Sequence, residues 1–282
     1  MIQGLVDDAS KHGSYFGPGS AQPTAAVATS STPNVTVQLN YPSCNYKQFQ
    51  IPIPAGTNLA SYTEVSLSVM TADGGEWDLF KVTPPGVTPL SSGVQCPATN
   101  NWAATVITYN NPGWTGSGSG PNPSYRGTGT LGGTGMIRPR DTQTPAGGTW
   151  DHALALAYLL TSDGSVHPSY VPPAMGGDGS CFNKSYPGVE CIPEGARLQL
   201  DPSIDCSTWA SLASQGEWAR QECRTLQKYG AIIVDTGAGF ITDYYQQVAP
   251  YTYPWNWNNV NLPLDLLSHL RVIDWTKWTG AG

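Results

Sequence analysis

Several stretches of this chain alternate apolar and polar residues with a period of two, the pattern of strands with one buried face. Val35, Val37 and Leu39 alternate with Thr36 and Gln38, and Phe49, Ile51 and Ile53 form a second such run. Pro52 and Pro54 place that second run at a sheet edge, because proline cannot donate to a ladder. Val65, Leu67 and Val69 stand opposite Glu64, Ser66 and Ser68. Asp73-Gly74-Gly75 then marks a hairpin turn, and Glu76 to Val82 reads as the return strand. Trp102 to Tyr109 is β-like. In Trp150 to Leu160 large residues alternate with small ones, which predicts a strand although Ala and Leu favour helix by propensity.

The best-patterned stretch runs from Gly195 to Gly239. Arg197, Gln199 and Asp201 alternate with Leu198 and Leu200, a half-buried strand. Ser214 and Glu217 have capping-box spacing, which predicts a helix over 215–229. Gly230 stands where a helix ends. Ala231 to Val234 is a short apolar run rich in β-branched residues, bounded by Gly230 and Gly237, and reads as a buried strand. Farther on, a short helix is expected over Leu264 to Leu270, with a last strand near Val272.

Composition agrees with this picture. The 282 residues include 32 Gly and 24 Pro, and only 12% are charged, which argues for short strands and turns rather than a helical bundle. The 10 Trp and 14 Tyr supply apolar surface that a disordered chain lacks. The fold class expected is all-β with one inserted α-helix at about 215–229. Residues 1–32 are small and polar and read as an N-terminal arm, one that a neighbouring subunit would hold in a homo-oligomer. Residues 33–282 read as one domain, with a long Gly/Ser/Pro loop at 110–135.

A net charge of −7 disfavours nucleic acid and anionic membrane as partners. No apolar run approaches the ~20 residues of a membrane span. The first residues lack the basic and apolar regions of a secretory signal, which predicts a removed signal or another export route. The six cysteines include no Cys-x-x-Cys pair, so disulfides in an oxidising, extracellular setting are expected. Of about 15 full connectivities, we expect Cys44–Cys96, Cys181–Cys191 and Cys206–Cys223. The second would pin a loop, and the third would tie the helix to the segment before it. The four histidines have no zinc-like spacing, and neither a nucleophile elbow nor a phosphate loop occurs, so no metal or other cofactor is expected.

Ile137-Arg138-Pro139, Asp151-His152-Ala153-Leu154, Gly195-Ala-Arg-Leu-Gln-Leu-Asp-Pro202 and Leu226-Gln-Lys-Tyr-Gly-Ala-Ile-Ile-Val-Asp-Thr-Gly237 together resemble motifs of a group of secreted bacterial β-rich proteins. The likeness is clearest over 130–240, with a weaker echo at Trp77-Asp78-Leu79-Phe80. It implies a β-sandwich of jelly-roll type and a secreted location. It implies no named activity and therefore no catalytic roles.

Five residues are candidates for catalysis. Glu76 and Asp78 share a strand face, and glycosidases need two carboxyls, one as acid and one as base or nucleophile. The plain alternative is a solvated strand face. His152 reads as a general base, a metal ligand or a buried, hydrogen-bonded histidine. Arg197 has the two-pronged geometry that holds a carboxylate, and Asp235 ends an apolar strand where a buried carboxyl has a raised pKa. For both, with Asp201, structural ion pairing is the alternative. Tyr253, Trp255 and Trp257 lie among prolines and asparagines and read as a loop on which sugar rings stack. The function expected is a secreted carbohydrate-active protein that cleaves a polysaccharide or other glycan as hydrolase or lyase. A non-catalytic glycan-binding or adhesion domain, and a structural subunit of an extracellular assembly, are the alternatives.

Overall fold

The computed structural model describes residues 6, 14–16, 24–57, 59, 65–88, 96–111, 126–137, 141–179, 181, 190–237, 240–242, 246–247 and 263–277. Among them fourteen strands form three sheets. Sheet II contains β2 (Thr24–Val27), β5 (Ser66–Met70), β6 (Glu76–Phe80), β8 (Val106–Asn110) and β13 (Gln246–Gln247) in the order β13-β2-β5-β6-β8. Sheet III is β4 (Lys47–Ile51), β3 (Val35–Leu39) and β7 (Trp102–Ala104), with β4 at the edge as its prolines predict. The two sheets pack as a sandwich. Alternation sends Leu67, Val69 and Leu79 of sheet II and Val37 and Ile51 of sheet III into one apolar cluster.

Sheet I runs β1 (Ser14–Phe16), β12 (Phe240–Thr242), β9 (Leu154–Ala157), β11 (Ala231–Asp235), β10 (Arg197–Leu200) and β14 (Leu270–Val272). One face carries Leu154, Leu156, Leu198, Leu200, Ala231 and Ile233 against the helix Glu217–Lys228, whose Trp218, Ala219, Cys223 and Leu226 are buried. The opposite face carries Ala155, Ile232 and Val234. Between that face and sheet II lies a strap, residues 126–137. Ala155 N donates to the Gly135 carbonyl oxygen at 3.0 Å. Thr128 Oγ1 donates to the Val234 carbonyl oxygen at 2.7 Å. Met136 meets Ala25 and Met70 of sheet II.

The β-rich class and the helix agree with the sequence. Parallel pairs occur in all three sheets (β1 with β12, β9 with β11, β13 and β5 with β2, β3 with β7), a feature that two antiparallel Greek keys lack. The segment read as an arm supplies β1 and β2, and Thr24, Ala25 and Ala26 are buried inside sheet II. Small residues buried on both faces leave no alternation to read. The Ser214–Glu217 capping box does not form. Ser214 closes a preceding turn, Ala210–Ala213, and the helix starts after Gly216, whose φ of +91° suits glycine. Glu217 instead accepts from Gly147 N at 2.8 Å and pairs with Arg224. The helix does end before Gly230, whose φ is +70°. All three expected disulfides are present: Cys44–Cys96, Cys181–Cys191 and Cys206–Cys223. No helix among the described residues is long and apolar enough to cross a membrane.

Candidate active site

Two carboxyl couples flank the strap. The first is Glu76 with Asp78. Two residues apart on β6, they point away from the sandwich core, where Trp77 and Leu79 go, and toward the strap. Asp78 is fully buried. Its Oδ1 accepts from Ser68 Oγ at 2.7 Å and its Oδ2 from Gly132 N at 3.1 Å. Glu76 Oε1 accepts from Gly133 N at 2.7 Å. Burial first, then the charge of Asp78 and a side-chain hydrogen bond with it, raise the Glu76 carboxyl well above its ordinary value. Gly133 N and buried Arg126 partly offset this. The solvated face weighed for this pair is therefore corrected: the strap covers it. Carboxyls in direct hydrogen-bonding contact are also closer than the ~5–5.5 Å or ~6.5–9.5 Å of glycosidase pairs. Glu76 and Asp78 bind the strap to sheet II.

The second couple is Glu194 with Asp178. Glu194 lies just before β10 and is fully buried. Its backbone is fixed by Glu194 N to the Ser169 carbonyl oxygen at 3.1 Å and by Val171 N to its own carbonyl oxygen at 2.8 Å. Thr236 Oγ1 donates to Glu194 Oε1 at 2.8 Å, and Thr161 Oγ1 lies 2.6 Å behind Thr236. Asp178 is exposed and sits against Gly127 of the strap, where a Cβ would overlap its carboxyl. Burial, then a side-chain hydrogen bond with Asp178, then the charges of Asp178 and Asp235 push the Glu194 carboxyl up to about 8, against the pull of Thr236. At neutral pH the buried Glu194 carboxyl thus keeps its proton, with the exposed Asp178 carboxyl nearby.

Asp235 ends β11 beside this couple. Its charge raises the Glu194 carboxyl. Its Oδ1 accepts from Thr236 N at 2.9 Å. A register shift between Ile233 and Asp235 re-aims the end of the strand, as bulges beside sites do.

Arg197 opens β10 on the same face of sheet I as Ile232, with which it pairs. It lines a pocket of about 130 Å³ whose walls include Val171, Pro173, Ile232 and Trp275, with Gln199 beside it. Gly195 is part of the lining, so the pocket begins one residue from Glu194. Only glycine fits there: φ is +82°, and a Cβ would overlap the Val171 carbonyl oxygen. The ion pair weighed between Arg197 and Asp201 or Asp235 is not formed. Asp201 pairs with Arg271, and Arg197 has no ion pair among the described residues. Burial alone lowers its guanidinium pKa.

His152 stands apart, just before β9. Its Nδ1 lies 2.8 Å from the Ala153 carbonyl oxygen, an acceptor, so Nδ1 carries the hydrogen. Its Nε2 lies 3.0 Å from Oδ2 of buried Asp141. With Asp151, their ligand atoms lie within 4.8 Å of one another. A hydrogen-bonded His–Asp pair, with Asp151 exposed beside it, accounts for this geometry.

The five catalytic candidates thus occupy four places. Asp235 joins Glu194 and Asp178, and Arg197 lines the adjoining pocket. Glu76 and Asp78 lie across the strap, and His152 lies beyond the other end of β9. Tyr253, Trp255 and Trp257 fall outside the described residues. Sequence reasoning passes over Glu194, Asp178 and Arg126. The available signal for Glu194 is a lone acid between Pro193 and Gly195 at the head of the best-patterned strand. Comparison with family models, curated proteins and solved structures finds no match to the chain, so the chemistry rests on these side chains.

Proposed function

We propose that this protein is a secreted, carbohydrate-active protein that cleaves glycans, with the Glu194–Asp178 couple as proton donor and Asp235 as the second carboxylate. One observation carries this reading: a fully buried carboxyl pushed up to about 8 lies near the exposed carboxyl of Asp178, one residue along the chain from the pocket residue Gly195. General acids that work near neutral pH need such a raised value. Asp235 is near enough for its charge to raise Glu194, and glycoside cleavage uses two carboxyls. In hydrolysis the couple gives its proton to the departing glycosidic oxygen as the C–O bond breaks. Asp235 takes a proton from the water that adds to the anomeric carbon. Tyr253, Trp255 and Trp257 are proposed to stack flanking sugars.

The test is a polysaccharide panel assayed for new reducing ends and for unsaturated products. Glu194→Gln and Asp235→Asn are expected to lower turnover about 10²–10⁴-fold, the usual worth of general acid–base groups. Asp178→Asn, at an exposed position, is a second probe should Glu194→Gln fail to fold. Binding without any product from the unaltered protein would exclude cleavage and leave a glycan-binding domain. Unchanged turnover in all three variants would move the chemistry elsewhere.

A further inference from the structure

The arginines of the described residues divide into four with partners and one without. Arg126 Nη2 donates to the Gly132 carbonyl oxygen at 2.6 Å. Arg220 and Arg224 pair with Glu217, and Arg271 pairs with Asp201. Arg197 makes no ion pair and no side-chain hydrogen bond among these residues, although the chain carries 20 acidic residues against 13 basic ones. It is also the one charged residue in the lining of its pocket. Its neighbours partly desolvate the guanidinium, yet the residue as a whole stays exposed, so a ligand can reach it.

The rest of the pocket restricts what that ligand is. Its volume is about 130 Å³. Val171, Pro173, Ile232 and Ile273 give apolar walls, and Trp275 contributes an aromatic ring. That ring is held from the side by His167, which meets it edge-on at 5.7 Å. Gln199 commits its amide nitrogen to the Gln227 carbonyl oxygen at 2.7 Å, which leaves the amide oxygen to accept a hydroxyl. A guanidinium fork matches a carboxylate with two parallel hydrogen bonds, and an indole face takes the C–H surface of a sugar ring. In a protein of net charge −7, a guanidinium without an acidic partner among the described residues, in an otherwise uncharged lining, favours an anionic ligand there.

We propose that the Arg197 pocket is a subsite for a carboxylate-bearing sugar ring, a uronate, held by Arg197 through its carboxylate and by Trp275 through its ring. The sugar part rests on the glycan reading above, and the carboxylate part rests on Arg197 alone. Uronate-containing polysaccharides are thus the substrate class.

The experiment is titration of the intact protein, followed by ligand-observed NMR, with galacturonate and glucuronate, the neutral hexoses galactose and glucose, and benzoate as a carboxylate that is not a sugar. At least one uronate is expected to bind, with its neutral counterpart roughly ten- to hundred-fold weaker, as for loss of a charged hydrogen-bond partner. Arg197→Gln should abolish that preference, and Trp275→Ala should weaken the uronate without restoring the hexose. Thermal unfolding reports whether either variant is folded. Neutral hexose bound as well as uronate, or uronate binding unchanged in Arg197→Gln, would overturn the proposal. Benzoate bound more tightly than both uronates would overturn the sugar part. The two readings fail separately. Uronate binding without cleavage of any polymer sinks the cleavage reading alone. Cleavage of neutral glycans without uronate binding sinks this one alone.

Discussion

Ser68 donates its hydroxyl hydrogen to Asp78 Oδ1 at 2.7 Å across the paired strands β5 and β6, and neither residue is reached by solvent. The other Asp78 oxygen accepts from Gly132 N. One side chain therefore joins two neighbouring strands to the strap between the sheets. Its burial and its two hydrogen bonds give Asp78 a structural task in holding the strap. The expectation for Asp78→Ala is a loss of stability of about 1–3 kcal/mol for each buried group left unsatisfied. Ser68→Ala should cost less, because Asp78 keeps its bond from Gly132. Urea unfolding of both variants is the measurement. An Asp78→Ala protein as stable as its parent would show that the strap is not held in this way.

Cys206–Cys223 ties the buried helix residue Cys223 to the loop that precedes the helix. The 17-residue separation is that of a loop whose closure is worth roughly 3 kcal/mol in the chain-entropy view. Replacing both cysteines with serine should lower stability by about 2–4 kcal/mol. Cys44–Cys96 closes a span of 52 residues, and each doubling of a loop adds only about 0.6 kcal/mol. The two double variants should therefore fall within about 1 kcal/mol of each other. Intact-mass spectrometry of the unreduced protein should show six hydrogens fewer than the reduced chain. Six free thiols in protein from an oxidising compartment would contradict the pairing.

Strands with one face on a core were legible in the sequence, because alternation reports a boundary between apolar and polar surroundings. Val35–Leu39 and the Asp73-Gly74-Gly75 hairpin are of this kind. Thr24–Val27 was not legible: Thr24, Ala25 and Ala26 are buried in succession, and such small residues show no period. The helix end at Gly230 was readable from local chemistry. Its start was not, because Ser214 belongs to the preceding turn. The candidate site divides in the same way. Asp235 and Arg197 stand at the ends of well-patterned strands. Asp178 lies in Gly176-Gly177-Asp178-Gly179, where sequence gives no direction to a side chain, and it meets Glu194 only through tertiary packing. The burial of Glu76 and Asp78 depends on the strap, a contact 54 residues away in the case of Asp78 and Gly132.

The Glu194 carboxyl makes stability depend on pH in a direction that can be worked out. Its ordinary value is 4.5, and in the folded protein it is about 8. Below about 4.5 both folded and unfolded chains hold the proton, and this group costs nothing. Between those values the folded chain keeps a proton that the unfolded chain has released. Unfolding then releases a proton, so rising pH favours the unfolded state, and stability falls through the window up to about 8. Glu76 is raised also and adds a decline of the same sign. The carboxyls of Asp73, Asp163, Asp201, Asp205 and Glu217 are lowered instead, so their contribution is lost only as pH falls below the usual carboxylate range. The melting temperature should therefore decrease by several degrees from pH 5 to pH 8. Glu194→Gln, which keeps an acceptor for Thr236 and cannot ionise, should flatten part of that slope. The difference between variant and parent is the readout, since it cancels every other group that the two proteins share. Parallel curves for the two proteins would show that Glu194 does not hold its proton when folded, and the proton donor proposed for glycan cleavage would go with it.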